Sequence, residues 1–389
     1  MPDSLILITI GGLLLVGLAM DELGGRTRLP RVTLLVLFGI AAGPSGFDLL
    51  PAAVQDWYPL VATMALVMVA FLLGGKLTYK VLAEDGVHIF GVSTGAVAVT
   101  AVLVGGGLWL IGVDPVLCLV MAGISTATAP AATQDVVQRS NAKGPFSRTL
   151  LGVVAIDDGW GLIVFSLLLA WGHALLGQNP AGVLEMAGKE LGGALLVGLI
   201  VGLPAAFLTG RLKPGEPSQA EALGVVFLCG GLALALGASF LLAAMIAGIV
   251  VANFARHHNR AFHEIEHIEW PFMVLFFVLA GASLEVSALP AIGMVGAVYI
   301  VLRAVGRIAG GWLGATATGM PSGHRFWIGV ALMPQAGVAM GMAMVAANSF
   351  PQYSSEILGV AVGTTILFEL IGPFCTQLAL SKADGLTES

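Results

Sequence analysis

Long apolar runs separated by short polar turns account for most of this sequence. Most of these runs are long enough, at about 1.5 Å of rise per residue, to cross a hydrocarbon core of about 30 Å. A backbone inside lipid has no water to bind, so such runs are expected to fold as helices. Divided at proline, glycine and charged positions, the sequence predicts thirteen spans, at residues 4–20, 31–43, 59–78, 87–111, 115–137, 148–175, 183–210, 219–236, 238–254, 268–284, 289–317, 325–347 and 354–380.

The composition excludes an ordinary soluble domain. Of 389 residues, 57% are hydrophobic and only 10% are charged, whereas about 25% are charged in a typical soluble domain. The 53 glycines suit membrane helices that approach one another closely. The three cysteines lie in apolar runs and suggest no disulfide framework, and the first run lacks the features of a cleaved signal peptide. We therefore expect an all-α polytopic membrane protein with a retained first helix.

The basic residues alternate with these spans and predict an orientation. Loops at 44–58, 112–115, 177–180, 285–290 and 348–353 contain no Lys or Arg. Because cytoplasmic loops collect basic residues, we expect the N-terminus outside, the C-terminus in the cytoplasm, and a location in the inner (plasma) membrane. The basic residues on the cytoplasmic side would be Arg26, Arg28, Arg31, Lys76, Lys80, Arg139, Lys143, Arg148, Arg211, Lys213, Arg256, Arg260, Arg325 and Lys382.

Two adjacent carboxylates, Asp157 and Asp158, interrupt the apolar run from Leu150 to Trp171. Their position in the run places them near the middle of the bilayer. An ionised side chain costs about 2.5–3.5 kcal/mol at that depth, and an acidic residue inside a span is by default an ion or proton site. A carboxylate binds either a proton or a small hard cation, and competition between the two is the chemistry that exchange requires.

Two spans are expected to be broken halfway across the membrane. The fifth contains Ser125–Pro130 and the twelfth contains Met333–Gly337, each with a proline and small or polar residues. Backbone groups released at that depth are tolerated only beside protein or a water-filled cavity. Proline-interrupted segments at matching positions in two halves are the best sequence indication of a transport site. The halves would be spans one to six and eight to thirteen, inverted relative to each other.

Two arginines, Arg303 and Arg307, lie inside the eleventh span and share one helix face. A buried guanidinium needs a counter-ion, and we take Asp157, Asp158 and Glu369 as the only deep carboxylates. Asp157 is the expected partner of Arg307, and Glu369 is the expected structural partner of Arg303.

Six segments together resemble the monovalent cation:proton antiporter superfamily, the sodium/proton exchangers. Thr126–Pro130 resembles the family's unwound stretch, Asp157–Asp158 its ion-binding carboxylates, and Gly306–Gly314 the helix with the basic residue that faces them. The other similar segments are Leu29–Gly46, Phe71–Lys76 and Pro271–Glu285.

This resemblance implies a fold of inverted repeats with two crossed discontinuous helices and an elevator mechanism. It also implies a homodimer, driven by an ion gradient and without a cofactor, nucleotide or nucleic-acid partner. The expected parts are a dimerisation domain at residues 1–85 and 217–288, an ion-translocating core at 86–180 and 289–381, and a connecting helix at 181–216.

Within the core, the expected ion site is built around Asp158 as the exchanging ligand. Ser125, Thr126 and Thr128, or the carbonyls of their unwound stretch, would supply further oxygens. The half-helices that begin near Pro130 and Gly337 would carry partial charges at their ends. Polar groups such as Gln335 would balance these charges. The sequence combines Asp-Asp with arginine, whereas relatives pair Asp-Asp with lysine or Asn-Asp with arginine. If Arg307 keeps Asp157 ionised, one proton exchanges for one cation, with Na⁺ favoured and Li⁺ or K⁺ as alternatives.

Other readings stay open at this point. A sodium-coupled symporter of an organic anion would share crossed broken helices, and a channel or a non-transporting receptor is a more distant possibility. The loop before the tenth span holds four histidines, which would either be solvated or sense cytoplasmic pH. Two of them spell the zinc-protease pattern H-E-x-x-H, but the adjoining membrane span disfavours an enzyme. These histidines are His257, His258, His263 and His267.

Overall fold

A computed structural model describes residues 3–27, 30–51, 54, 57–177, 181–208, 218–255, 258–283, 293–335 and 337–383. Within those ranges every regular element is helical. The helices are α1 (Asp3–Thr27), α2 (Arg31–Ala42), α3 (Tyr58–Lys76), α4 (Tyr79–Leu110), α5 (Pro115–Ile124), α6 (Pro130–Arg139), α7 (Pro145–Leu175), α8 (Ala181–Leu208), α9 (Ser218–Ala235), α10 (Phe240–Phe254), α11 (His258–Ala282), α12 (Gly293–Ala317), α13 (Ser322–Ala331), α14 (Gly337–Ser349) and α15 (Ser354–Ala383), with a 3₁₀ turn at Pro351–Tyr353.

The predicted spans are confirmed as helices. In the described ranges, eight helices are long and apolar enough to cross a membrane, and five further apolar helices are shorter. Each corresponds to one of the thirteen predicted runs. The fifth run holds α5 and α6, and the twelfth holds α13 and α14, so both expected breaks are present. Three boundaries differ by seven or more residues: α1 ends at Thr27 instead of residue 20, α4 begins at Tyr79 instead of residue 87, and α11 begins at His258 instead of residue 268. In each case polar residues extend the helix beyond its apolar part.

The chain divides into two compact units. The first contains Met1–Val81 and Lys189–Leu284, and the second contains Leu82–Gly188 and Glu285–Ser389. Helix α8, expected to be a connector, is divided at Lys189, with most of its length in the first unit. The functional roles assigned to the two parts remain predictions.

Helices of the first unit pack through glycines that have no room for a side chain. A Cβ on Gly248 of α10 would lie 3.0 Å from the carbonyl carbon of Phe71 and 3.2 Å from the Cα of Gly74, both on α3. At the end of α3, Asn253 Oδ1 accepts from Tyr79 N at 2.6 Å, and its Nδ2 donates to Leu77 O at 3.2 Å. One amide thereby satisfies backbone groups on both sides of the α3–α4 junction.

In the second unit, glycines bring α4 and α12 into backbone contact. A Cβ on Gly95 would lie 2.6 Å from the carbonyl oxygen of Gly310, and one on Gly310 would lie 2.8 Å from the Cα of Ala96. Close approach of this kind is what small residues provide in membrane helices. The contact matters for the site because α12 carries Arg303 and Arg307, and both side chains are fully buried.

Replacing Gly310 by alanine is predicted to destabilise the second unit by about 1–3 kcal/mol, because the added methyl group meets backbone atoms that cannot rotate away. The measurement is the thermal unfolding midpoint of the detergent-solubilised protein. Gly106→Ala is the matched control, since a Cβ at Gly106 of α4 meets nothing within 4 Å. Equal midpoints for the two variants would contradict this packing.

Candidate ion-binding site

Helix α7 places Asp157 in the interior of the second unit with no exposed side-chain surface. Arg307 Nη1 of α12 donates to its Oδ2 at 2.9 Å, and both side chains of this ion pair are fully buried. Ser93 of α4 donates its hydroxyl to the other oxygen, Oδ1. The expected pairing of Asp157 with Arg307 is therefore present, and both carboxylate oxygens are engaged.

The same guanidinium also binds the first broken helix. Arg307 Nη2 donates to the carbonyl oxygen of Thr126, and the carbonyl oxygen of Ser125 lies 3.5 Å from that nitrogen. Both residues follow the last turn of α5, where carbonyls have no intrahelical donor. Arg307 thus joins a carboxylate on α7 to the unwound backbone after α5.

Arg303 joins the two breaks to each other. Its Nη2 donates to the carbonyl oxygen of Ala127 at 2.8 Å, and its Nη1 donates to that of Met333 at 3.0 Å. The ring centroid of Phe368 lies 4.2 Å from its Cζ. These contacts correct the expectation that Arg303 pairs with Glu369. Its terminal nitrogens are instead used by backbone carbonyls, and no ion pair joins the two residues in the described part of the chain.

The second break is held by Gln335. Its Nε2 donates to the carbonyl oxygen of Ile124 at 3.2 Å and to the hydroxyl of Tyr299 at 3.3 Å. A Cβ on Gly372 of α15 would lie 2.5 Å from the Cα of Pro334, so α15 packs directly on this break. Pro130 and Gly337 begin α6 and α14, as their positions in the sequence indicated.

The broken helices give the site a fixed electrostatic pattern. The C-terminal end of a helix carries about half a negative charge in its unsatisfied carbonyls. Two such ends, those of α5 and α13, are followed by carbonyls that accept from Arg307 and Arg303. The sequence interpretation assigned this balance to Gln335 and nearby polar groups. Gln335 contributes a neutral hydrogen bond, but the positive charge that offsets these helix ends comes from the two arginines.

The hydroxyls of the first break are arranged as acceptors. Ser125 Oγ donates to Ala122 O at 2.6 Å, and Thr126 Oγ1 donates to Gly123 O at 2.7 Å, which leaves their lone pairs available. Thr128 Oγ1 is buried and has no hydrogen-bond partner among the described residues. The carbonyls from Ile124 to Ala127 already accept from Gln335 and the arginines. The three hydroxyl oxygens are therefore ligands that this break can offer without losing those contacts.

Asp158 is the next residue of α7, but its side chain lies outside the described residues. The backbone alone fixes its relation to Asp157. Successive positions of an α-helix are about 100° apart around its axis, so residues 157 and 158 occupy different faces of α7. Its role as the exchanging ligand remains a prediction.

Sequence reasoning missed several side chains of this site. Ser93 and Tyr299 are each a single polar group on a glycine-rich or apolar helix face, which is a weak signal unless the positions of Asp157 and Gln335 are known. The expected set of three deep carboxylates was also incomplete. Asp135 on α6 and Glu269 on α11 are buried as well, with exposed fractions of 4% and 6%.

The histidine-rich segment is described only in part. His257 lies outside the described residues, and so do the side chains of His258 and His263. His267 is exposed on α11. The pH-sensing role of these four residues therefore remains a prediction.

At the end of α5 away from the break, Asp114 caps the helix. Its Oδ1 accepts from Val116 N at 2.8 Å. A hydrogen bond to Asp114 raises the pKa of the Tyr353 phenol in the turn before α15, with burial adding to the effect. This contact fixes α5 to the start of α15, on which Glu369 also lies.

Comparisons with known proteins agree with this architecture. The family model for the transmembrane region of sodium/hydrogen exchangers matches residues 10–382. The chain is 24% identical to the ammonium/H⁺ antiporter subunit AmhT of Alkalihalophilus pseudofirmus, over 97% of this chain and 96% of that protein. It is 24% identical to the glutathione-regulated potassium-efflux protein KefC of an Enterobacter species, over 88% of this chain but 56% of that protein.

A solved structure shows the same fold. The sodium/proton antiporter MjNhaP1 from Methanocaldococcus jannaschii aligns with a TM-score of 0.75 at 18% identity, over 97% of this chain and 100% of that one. The fold is thus a helical membrane architecture with inverted repeats and two crossed broken helices. Together with the family match over nearly the whole length, it shows that this chain is a multi-pass membrane protein of the sodium/hydrogen exchanger family, a transporter rather than an enzyme.

Proposed function

We propose that this protein exchanges a monovalent cation, Na⁺ first among the candidates, for H⁺ at Asp158. The observation that carries this assignment is that both oxygens of Asp157 are already engaged. Its two oxygens already accept from Ser93 and Arg307, so it has little remaining capacity for a cation. The neighbouring carboxylate is then the acid that binds proton and cation in turn, with the hydroxyls of Ser125, Thr126 and Thr128 as further oxygen ligands.

The arginine supports an exchange of one proton for one cation. A guanidinium keeps its proton throughout the physiological range. Arg307 therefore stays positive in every step, and its buried pair with Asp157 contributes no proton to the cycle. Only Asp158 changes its charge, from neutralised by H⁺ to neutralised by the cation. The net charge moved in a complete cycle is then zero.

The two compact units support an elevator mechanism. The ion-binding residues all belong to the second unit, 82–188 with 285–389. We assign it the moving role, and assign the first unit to the scaffold and homodimer interface. In the predicted orientation the N-terminus is outside and the C-terminus is cytoplasmic.

The names of similar proteins supply the candidate cations. The names of similar proteins include ammonium for AmhT, potassium for KefC and sodium for an NhaP protein of Pseudomonas aeruginosa. Carboxylate and hydroxyl oxygens are hard ligands that suit a small cation, which favours Na⁺. Li⁺, K⁺ and NH₄⁺ belong in the same assay.

Asp158→Asn is predicted to abolish cation-driven proton movement, because an amide can neither ionise nor exchange a proton. The measurement is the response of a pH dye inside proteoliposomes after addition of each of the four cations. Asp48→Asn is the matched control, since Asp48 is exposed in a loop at a backbone angle that asparagine also tolerates. Full activity of Asp158→Asn would contradict the assignment. Sodium-driven uptake of an organic anion without proton movement would indicate the symporter alternative.

Exchange of one charge for one charge is predicted to be insensitive to membrane potential. Proteoliposomes with no cation or pH gradient should show no net proton movement when a potential is imposed. The same vesicles should respond when a cation gradient is added. Proton uptake driven by the potential alone would contradict the one-for-one exchange while leaving antiport itself intact.

A further inference from the structure

We propose that Glu369 is a second proton-binding group of the translocating unit, separate from the aspartate pair, and that its ionisation controls the hold of Arg303 on the two broken helices. The control of transport rests on the proposed antiport function. The protonation of Glu369 can be measured without transport. A failure of this proposal can therefore be told apart from a failure of the antiport assignment.

Glu369 lies in the middle of α15, with 4% of its surface exposed. No ion pair or side-chain hydrogen bond involves it within the described part of the chain. A buried carboxylate without a counter-ion is strongly unfavourable, and such a group takes up a proton instead. Glu369 thus fits the neutral, protonated form in this conformation.

Arg303, the cation expected to pair with Glu369, is held beside the preceding residue, Phe368, with 4.2 Å between Cζ and the ring centroid. Its Nη1 and Nη2 donate to carbonyls of the two breaks, while its Nε is buried and finds no acceptor in the part of the chain that the structure describes. The guanidinium is therefore incompletely satisfied, one residue along α15 from an acid that lacks a partner.

Helix α15 is polar one turn before and one turn after Glu369. Pro373 lies inside α15 and has no N–H, so the helical hydrogen bond to the carbonyl of Glu369 is missing. Thr365, one turn earlier on the same face, has a buried hydroxyl that finds no partner among the described residues. A break in the backbone ladder, a free hydroxyl and a neutral carboxyl give this face of α15 the polarity that proton transfer needs.

The ionisable groups on the surrounding helices leave Arg303 as the available counter-ion. Helix α12 brings Arg303 and Arg307, and α7 brings the aspartate pair and, near its start, Arg148. Arg307 is bound to Asp157, and Arg148 lies 3.4 Å from Asp85. The remaining ionisable groups of the elements packed on α15 are Asp135 and Arg139 on α6, Cys118 on α5, His173 on α7, Tyr299 on α12, His324 and Arg325 on α13, and Tyr353 in the turn before α15; those of α15 itself are Glu356, Cys375 and Lys382.

Ionisation of Glu369 then has a defined consequence. The proton leaves to water, and a negative charge appears on the residue that follows Phe368, whose ring packs on Arg303. The guanidinium gains a partner for which it must give up carbonyl contacts at Ala127 or Met333. The two breaks are held together while Glu369 is protonated and are released when it ionises. Transport would lose rate on the alkaline side for a reason that is independent of Asp158.

The protonation is tested by infrared spectroscopy of the purified full-length protein without Na⁺. A neutral carboxylic acid has a C=O stretching band that a carboxylate lacks. Wild type near neutral pH should show a band that disappears in Glu369→Gln and persists in Glu356→Gln, an exposed acid on the same helix. A spectrum of Glu369→Gln that matches wild type would overturn the proposal. Glu369→Asp should restore a carboxylic band and serves as the check if the glutamine variant folds poorly.

The control of transport is tested by the pH profile in proteoliposomes. Glutamine imitates the protonated acid, so Glu369→Gln should keep its neutral-pH rate and lose part of the alkaline decline. The ionisation of one group changes a rate by at most about tenfold per pH unit. Removing the ionisation of Glu369 should therefore reduce the fall in transport rate at high pH by up to that factor. Glu356→Gln should follow wild type. Parallel profiles for wild type and both variants would overturn the control of Arg303. If Glu369→Gln loses the infrared band but wild type shows no cation-driven proton flux, antiport is refuted instead.

Discussion

Two buried guanidinium groups organise the centre of this protein. Arg307 binds the carboxylate of Asp157 and the carbonyl of Thr126, and Arg303 binds the carbonyls of Ala127 and Met333. Backbone released from a helix in mid-membrane needs hydrogen-bond partners from the protein or from water in a cavity. Here the partners are cations, placed where two helix ends concentrate negative charge. The breaks, the acids and the arginines are consequently one interdependent arrangement.

This arrangement explains why two adjacent aspartates can differ in role. The charge of Asp157 is required to offset Arg307, and each of its oxygens already accepts a hydrogen bond. In the proposed function Asp158 has no such partner and is the acid that exchanges. A site with one fixed acid and one exchanging acid can alternate between proton and cation without changing the charge of its support. Glu369 would add a proton-dependent element next to Phe368, which packs on Arg303.

Much of the fold was predictable because the membrane imposes simple rules. The length of the apolar runs predicted every span, and Pro130 and Pro334 indicated both breaks. The pairing of Arg307 with Asp157 followed from the cost of a buried charge. The partner of Arg303 was not predictable in this way, because a sequence lists acidic side chains but not the backbone carbonyls that a broken helix exposes. The contact of Ser93 with Asp157 depends on how α4 packs beside α7, and the contact of Tyr299 with Gln335 depends on how α12 lies beside the second break. Such packing is set by three-dimensional contacts, as between Gly95 and Gly310, that the sequence does not show.

The central claim is that a single carboxylate exchanges ions while Arg307 and Asp157 keep their charges. The most direct measurement is the number of protons released when Na⁺ binds to the purified protein, obtained by calorimetry in two buffers with different ionisation enthalpies. The account predicts about one proton per bound cation for wild type and no Na⁺-linked proton release for Asp158→Asn. Release of two protons per cation, or unchanged release from Asp158→Asn, would contradict it.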